Sequence, residues 1–355
     1  IIDRGSSNGE RRWIDLVERE QVASPRLLDT LQAQLDELAQ VRHPQHALGV
    51  AELRRFTNEQ LGYSDARRYG IWCYYPWRNE VVHILPETEF RELRSARNRN
   101  HITAAEQVRL RRKIVGIIGV SVGQAVAMTM TLEGVGGEFR LADPDQISLS
   151  NLNRIRSPLR DIGRNKAVVA ARQMLEIDPY LKISVYSDGL DEGNLAPFMS
   201  NPRPLDILVE ECDDLYIKLL GREHARRLRV PVLMHTSDRG LLDIERFDLD
   251  PTREPFHGRL SHVSSEDLRG LSAEQKIPFV TQLLDLGMMS NRAKASLREV
   301  GKTLTTWPQL GSAVARGGAT VTAVARRILL DHDQASGRFY DDIDDTVPYA
   351  ERKPH

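Results

Sequence analysis

The 355-residue sequence is poor in cysteine and in aromatics, and it has no surplus of charge of either sign. Cys73 and Cys212 are the two cysteines. Two thiols so far apart exclude a disulfide framework as the organising principle, and they exclude a four-cysteine zinc site outright. Basic and acidic residues nearly cancel, 49 against 50, for a net charge of -1. A general nucleic-acid binder would carry a large basic excess to meet phosphate. The opening residues are rich in Arg, Asp and Glu and do not read as a secretory signal. A sequence that opens on Ile1 reads as a processed chain or a fragment. One uncharged run, Ile114 to Leu132, is long enough to imitate a membrane span. Gly119 and Gly123 interrupt it, and Gln124, Thr129 and Thr131 follow, so it reads as a buried strand, a tight turn and a helix.

What is present is ordinary for a soluble globular protein of one large or two modest domains: 41% hydrophobic and 28% charged residues. Residues 1–95 read as a small α+β N-terminal region. Leucines at 28, 31, 35 and 38 keep helical spacing and predict a helix over 27–41, with a second over 51–61. Runs 71–75 and 81–85 predict a hairpin around Pro76 to Glu80. Trp72, Tyr74, Tyr75 and Trp77 read as part of a small core, with a peptide-binding surface as the sharper alternative. Residues 96–112 are basic and helical in pattern. From 113 onward, strands at 113–118, 138–143, 182–187, 206–211 and 231–236 alternate with helices at 123–133, 165–177 and 215–228. That alternation predicts an α/β fold, a Rossmann-like, doubly wound and mainly parallel sheet covered on both faces. The stretch 250–355 is less regular. Gly311, Gly317 and Gly318 predict close helix packing within 307–330, and 331–355 reads as an acidic, solvated C-terminal tail.

An open parallel sheet takes ligands at the carboxyl ends of its strands, near the point where strand order reverses. Strand 113–118 runs into Gly119-Val120-Ser121-Val122-Gly123. Glycines there let backbone approach phosphate, and the next helix offers its N-terminal N–H groups. Strand 138–143 ends in Asp143, with Asp145 two positions on, and an acid there accepts from ribose hydroxyls. Strand 206–211 ends in Glu210-Glu211-Cys212-Asp213-Asp214. The convergence points to a nucleotide, although the glycine loop alone fits a plain turn equally well. Asn151, Arg154 and Lys166 sharpen the reading. A triphosphate needs such cations: arginine offers a planar fork to phosphate oxygens, and lysine a compact charge.

The run Asp143-Pro144-Asp145 through Ser150-Asn151-Leu152-Asn153-Arg154, followed by Gly163-Arg164-Asn165-Lys166, resembles the signature of the ThiF family. That family joins sulfur-carrier adenylyltransferases with the adenylation domains of ubiquitin-activating enzymes. The Cys212-Asp213-Asp214 run with Lys218 is similar to the family's magnesium-binding segment. The resemblance covers about 97–247, and an adenylating domain over 96–330 is expected. It implies ATP-dependent adenylation of a carboxylate by an adenylyltransferase. Gly119, Ser121 and Gly123 would lie at the phosphates and Asp143 at the ribose, with Asp145 beside it. Asn151, Arg154 and Lys166 would meet the triphosphate, and Asp213 would hold Mg²⁺. Arg97 or Arg99 would be an arginine finger reaching a partner's site, hence a homodimer. The expected carboxylate is the C-terminus of a small ubiquitin-like or sulfur-carrier protein, or that of a peptide or metabolite. The N-terminal region would be a candidate peptide clamp. The implied setting is cytoplasmic, with no membrane and no nucleic-acid partner.

Departures accompany the likeness. Ser121 and Val122 stand where the family has more glycine. Structural zinc cysteines and the downstream thioester cysteine are absent, so no zinc and no thioester on this chain are expected. Cys212 reads as a small buried residue rather than a nucleophile. The competing classes are an NAD(P)-dependent oxidoreductase, which leaves Arg154, Lys166 and Asp213 unexplained, and a non-catalytic nucleotide-binding relative.

Overall fold

The computed structural model describes residues 1, 11–12, 24–62 and 65–347. The chain divides into two compact units, Ile1–Ala104 and Ala105–His355.

In the first unit β1 (Arg26–Asp29) precedes α1 (Leu31–Arg42) and α2 (Val50–Leu61). The hairpin strands β2 (Ile71–Tyr75) and β3 (Glu80–Ile84) follow, then α3 (Glu87–Arg94). The hairpin stands where its two runs placed it, and β1 pairs parallel with β3. The helix anticipated over 27–41 starts late. Leu28 lies in β1, and Asp29 accepts from the Leu31 amide at the turn into the helix. Leu31, Leu35 and Leu38 do share a buried face, packed with Phe56 and Leu85. Of the aromatics, Trp72 and Tyr75 are buried, and Trp72 stacks on His83 with ring centres 4.0 Å apart. The 96–112 stretch is not one helix. A 3-10 turn, Ala96–Asn98, is followed by Asn100 in the left-handed region, and α4 spans Ala104–Leu110.

The second unit holds a seven-stranded sheet. Its elements in order are β4 (Ile114–Ile118), α5 (Gly123–Glu133), β5 (Glu138–Ala142), α6 (Lys166–Ile177), β6 (Lys182–Tyr186) and α7 (Glu192–Ser200). Then come β7 (Ile207–Glu210), α8 (Leu215–Leu228), β8 (Val232–His235) and β9 (Leu241–Glu245). The later part holds α9 (Ser265–Leu268), α10 (Ala273–Leu283), α11 (Asn291–Glu299), α12 (Gly311–Leu329), β10 (Gly337–Tyr340) and α13 (Ile343–Thr346). The spatial order is β10-β9-β8-β7-β4-β5-β6. β4 through β8 are parallel neighbours, and β9 and β10 add an antiparallel edge. Strand order reverses between β4 and β7, which is the switch point where such sheets open a crevice. The uncharged run 114–132 is thus β4, a turn and α5. Among the described residues no helix is long and apolar enough to cross a membrane.

β4 is buried at every position. A Cβ on Gly116 would lie 2.4 Å from Leu205 Cδ1, so the strand and its cover meet closely there. α12 carries the packing expected of its glycines. A Cβ on Gly318 would sit 2.7 Å from the Ala125 carbonyl, and one on Gly317 2.3 Å from His235 Nδ1. The stretch read as a solvated acidic tail contains β10, hydrogen-bonded to β9. Two of its acids are neutralised from far along the chain: Asp341 by Arg316 at 2.5 Å and Asp342 by Arg239 at 2.7 Å.

Candidate nucleotide site

Three strands end at one place. The Gly119 amide donates to Ala142 O at 2.9 Å and the Glu211 amide to Ile118 O at 2.7 Å, so β4 stays zipped to both neighbours up to its end. Gly119 then turns at φ +82, a conformation costly for any residue with a side chain. A Cβ there would also lie 2.5 Å from the Cys212 amide nitrogen. Gly123 serves packing instead, since its Cβ would press on Ile117 Cγ2 at 2.7 Å. Between them Val120 and Val122 are buried, and Ser121 is half-buried.

Asp143, 4% exposed, closes the crevice from β5. Its Oδ2 accepts from the Val120 amide at 2.6 Å and its Oδ1 from the Asp145 amide at 2.9 Å. Burial raises its pKa, while those two N–H groups and Lys166 pull it back. Each carboxylate oxygen has more than one acceptor position, so hydroxyls can still be accepted. Lys166 opens α6, and its Nζ donates to Asp145 Oδ2 at 2.8 Å. That pairs a buried ammonium with an exposed carboxylate. Asn151 is absorbed in a local turn: its Oδ1 accepts from the Ser148 amide at 3.1 Å, capping the 3-10 helix Leu149–Asn153.

Arg154 follows that helix. Its Nη1 donates to Asn153 Oδ1 at 2.9 Å, while its Nε is buried without a partner among the described residues. Burial lowers its pKa, and nearby Asp213 acts in the opposite direction. Asp213 is therefore within electrostatic reach, exposed on the loop after β7. Asp214 has a different task, capping α8 through the Tyr216 and Ile217 amides. A cleft of about 370 Å³ runs alongside, lined by Gln124, Asn153, Arg154, Arg156, Gly311 and Ala315 among others. Arg97 and Arg99 are exposed and belong to the first unit, on and just after the turn Ala96–Asn98. Among the described residues, no group of three or more His, Cys, Asp or Glu side chains is arranged for a metal. Magnesium keeps most of its waters and takes one or two carboxylates plus substrate phosphates, so an exposed Asp213 fits that mode.

Several structural residues escaped the sequence reading. Asn165 caps α6 by accepting from the Val168 amide, and donates to the carbonyls of Asp143, Asp145 and Ser187. An Asn just before a helical run is a legible cap signal. Behind β7, Glu210 is paired with Lys218 and Arg222, and Arg222 also with Glu245. All four side chains are largely or fully buried, so this cluster fastens β7, α8 and β9 together. Cys212 is half-buried, and burial pushes its thiol well above the ordinary range, which disfavours a thiolate nucleophile.

The fold defines the class: a Rossmann-like α/β protein with a crevice at the switch point of its sheet. Residues 95–237 match the model of the ThiF family, and the chain carries a ThiF family domain over that stretch. It is 45% identical over 283 residues to the Mycobacterium tuberculosis protein named Uncharacterized protein MT1398, covering 80% of this chain and 39% of that one. It is 30% identical over 159 residues to the Escherichia coli tRNA threonylcarbamoyladenosine dehydratase, covering 43% of this chain and 58% of the relative. A Thermus thermophilus sulfur carrier protein adenylyltransferase is 27% identical over 129 residues, covering 36% of this chain and 46% of its own. The chain thus spans less than two thirds of each of these relatives.

Proposed function

We propose that this chain uses ATP and Mg²⁺ to adenylate a carboxylate, giving an acyl-adenylate and pyrophosphate, without forming a thioester on itself. The observation that carries the reading is Arg154. Its guanidinium sits beside the crevice with a buried, unpartnered Nε, close to Asp213 and in the same loop system as Lys166 and Asp143. An arginine left with open donors at such a crevice fits an anionic ligand. The name of the Thermus thermophilus relative supports an adenylating chemistry. Under this reading the substrate is the C-terminus of a small ubiquitin-like or sulfur-carrier protein, or a peptide or metabolite carboxylate.

In the reaction a carboxylate oxygen forms a bond to the α-phosphorus as the bond to the bridging α–β oxygen breaks, and pyrophosphate departs with that electron pair. Negative charge builds on the phosphate oxygens. Lys166 stabilises it at the α-phosphate and Arg154 on the departing pyrophosphate, and the backbone of the Gly119–Gly123 turn holds the chain close to it. Asp213 would hold Mg²⁺, which would supply Lewis-acid charge neutralisation. The carboxylate is already ionised, so no general base is required.

The test is pyrophosphate exchange into ATP against a panel of carboxylates. Lys166→Ala should fall by about 10²-fold or more while keeping the wild-type circular dichroism. Exchange in Lys166→Ala equal to wild type would remove Lys166 from the chemistry.

A further inference from the structure

We infer that Asn153 is a positioning residue that sets which edge of the Arg154 guanidinium faces the nucleotide's terminal phosphates. The inference rests on the adenylation reading and deepens it at one residue.

Neighbours in sequence seldom bond through their side chains, but here the backbone at Arg154 (φ -144, ψ -25) folds its side chain back. Nη1 donates to Asn153 Oδ1 at 2.9 Å. The other end of the same amide is also engaged, since Asn153 Nδ2 donates to Gln309 O at 2.7 Å, just ahead of α12. The backbone is pinned at that point too. A Cβ on Gly311 would lie 2.7 Å from Asn153 O, so α12 begins hard against this residue. Asn153 is thereby held from both ends, and it holds Arg154.

A guanidinium has five N–H donors in a planar fork. With Nη1 tied to Asn153, the edge formed by Nε and Nη2 has no partner among the described residues, and its Nε is buried. That edge carries two parallel donors at the spacing that matches two phosphate oxygens. Without the tether, the guanidinium can turn and present a single donor.

The experiment is calorimetry of the full chain with ATP and, separately, AMP, both with Mg²⁺, on wild type, Asn153→Ala, Asn153→Asp, Arg154→Ala and the Asn153→Ala/Arg154→Ala double variant. The expected result is ATP binding about five- to ten-fold weaker in Asn153→Ala, the loss of roughly one hydrogen bond. AMP, which lacks the terminal phosphates, should bind as in wild type. Asn153→Asp keeps an acceptor for Arg154 and should restore most of the ATP affinity, although it loses the donor to Gln309. The double variant should be no weaker than Arg154→Ala, as coupled residues require. Equal weakening of ATP and AMP in Asn153→Ala, failure of Asn153→Asp to rescue, or unchanged ATP binding would each overturn the positioning role. A wild type that binds AMP but not ATP overturns it as well. Binding of neither nucleotide by wild type strikes the adenylation reading itself.

Discussion

Lys166 and Arg154 arrive at the crevice with different company. Lys166 is tied to Asp145, while Arg154 keeps an unpaired donor. His235, at the end of β8, is a third kind of residue: 4% exposed, with neither ring nitrogen partnered among the described residues. Burial pushes its pKa down to about 4, Arg316 adds to the fall, and Asp341 opposes it. The unfolded imidazole titrates near 6.5, so below that pH the unfolded chain binds more protons than the folded one. Stability from this group is therefore present above about pH 6.5 and drains away as the pH falls toward 4. We expect it to make the protein about 2 kcal/mol less stable at pH 5 than at pH 7. His235→Leu should flatten that part of the slope in urea denaturation, and an unchanged slope would show that His235 is not buried neutral. Asp143, Arg154 and Lys166 were legible in sequence because each follows a strand end or lies in a specific motif. His235 also ends a strand and Asn153 also lies in the motif, but their roles were not legible, because what defines them comes from far along the chain: Gly317 packs on the imidazole, and Gln309 accepts from the amide.

At the level of elements, the parallel sheet was readable because buried strands and crossover helices alternate with clear periods. β4 through β8 and α5, α6 and α8 fall within a residue or so of their anticipated limits. The failures share one cause. Leu27 and Leu28 fit a helical period, but β1 gains its backbone bonds from β3, some fifty residues later. The stretch around β10 looked like a solvated tail because the acids just after the strand, Asp341 and Asp342, take their countercharge from Arg316 and Arg239 across the fold. Asn165 both caps α6 and donates to the carbonyls of Asp143 and Asp145, the second of which pairs with Lys166 through its side chain. Asn165→Ala should cost about 1–2 kcal/mol of stability, read from the urea midpoint. A change below about 0.5 kcal/mol would mean that the cap contributes little.

For the molecule as a whole, we propose that the crevice at the β4–β7 switch point accepts a triphosphate rather than a dinucleotide. Sheet order alone fits either ligand, because both use a glycine turn and an acid at the end of the second strand. The cations decide: Arg154 and Lys166 have work to do against three phosphates and little against a nicotinamide dinucleotide. The measurement that bears most directly on this is calorimetry of the full chain with ATP and Mg²⁺ against NAD, repeated on Lys166→Ala. We predict binding of ATP, no binding of NAD, and loss of ATP binding in Lys166→Ala. Binding of NAD without ATP, or ATP binding indifferent to Lys166, would contradict the account.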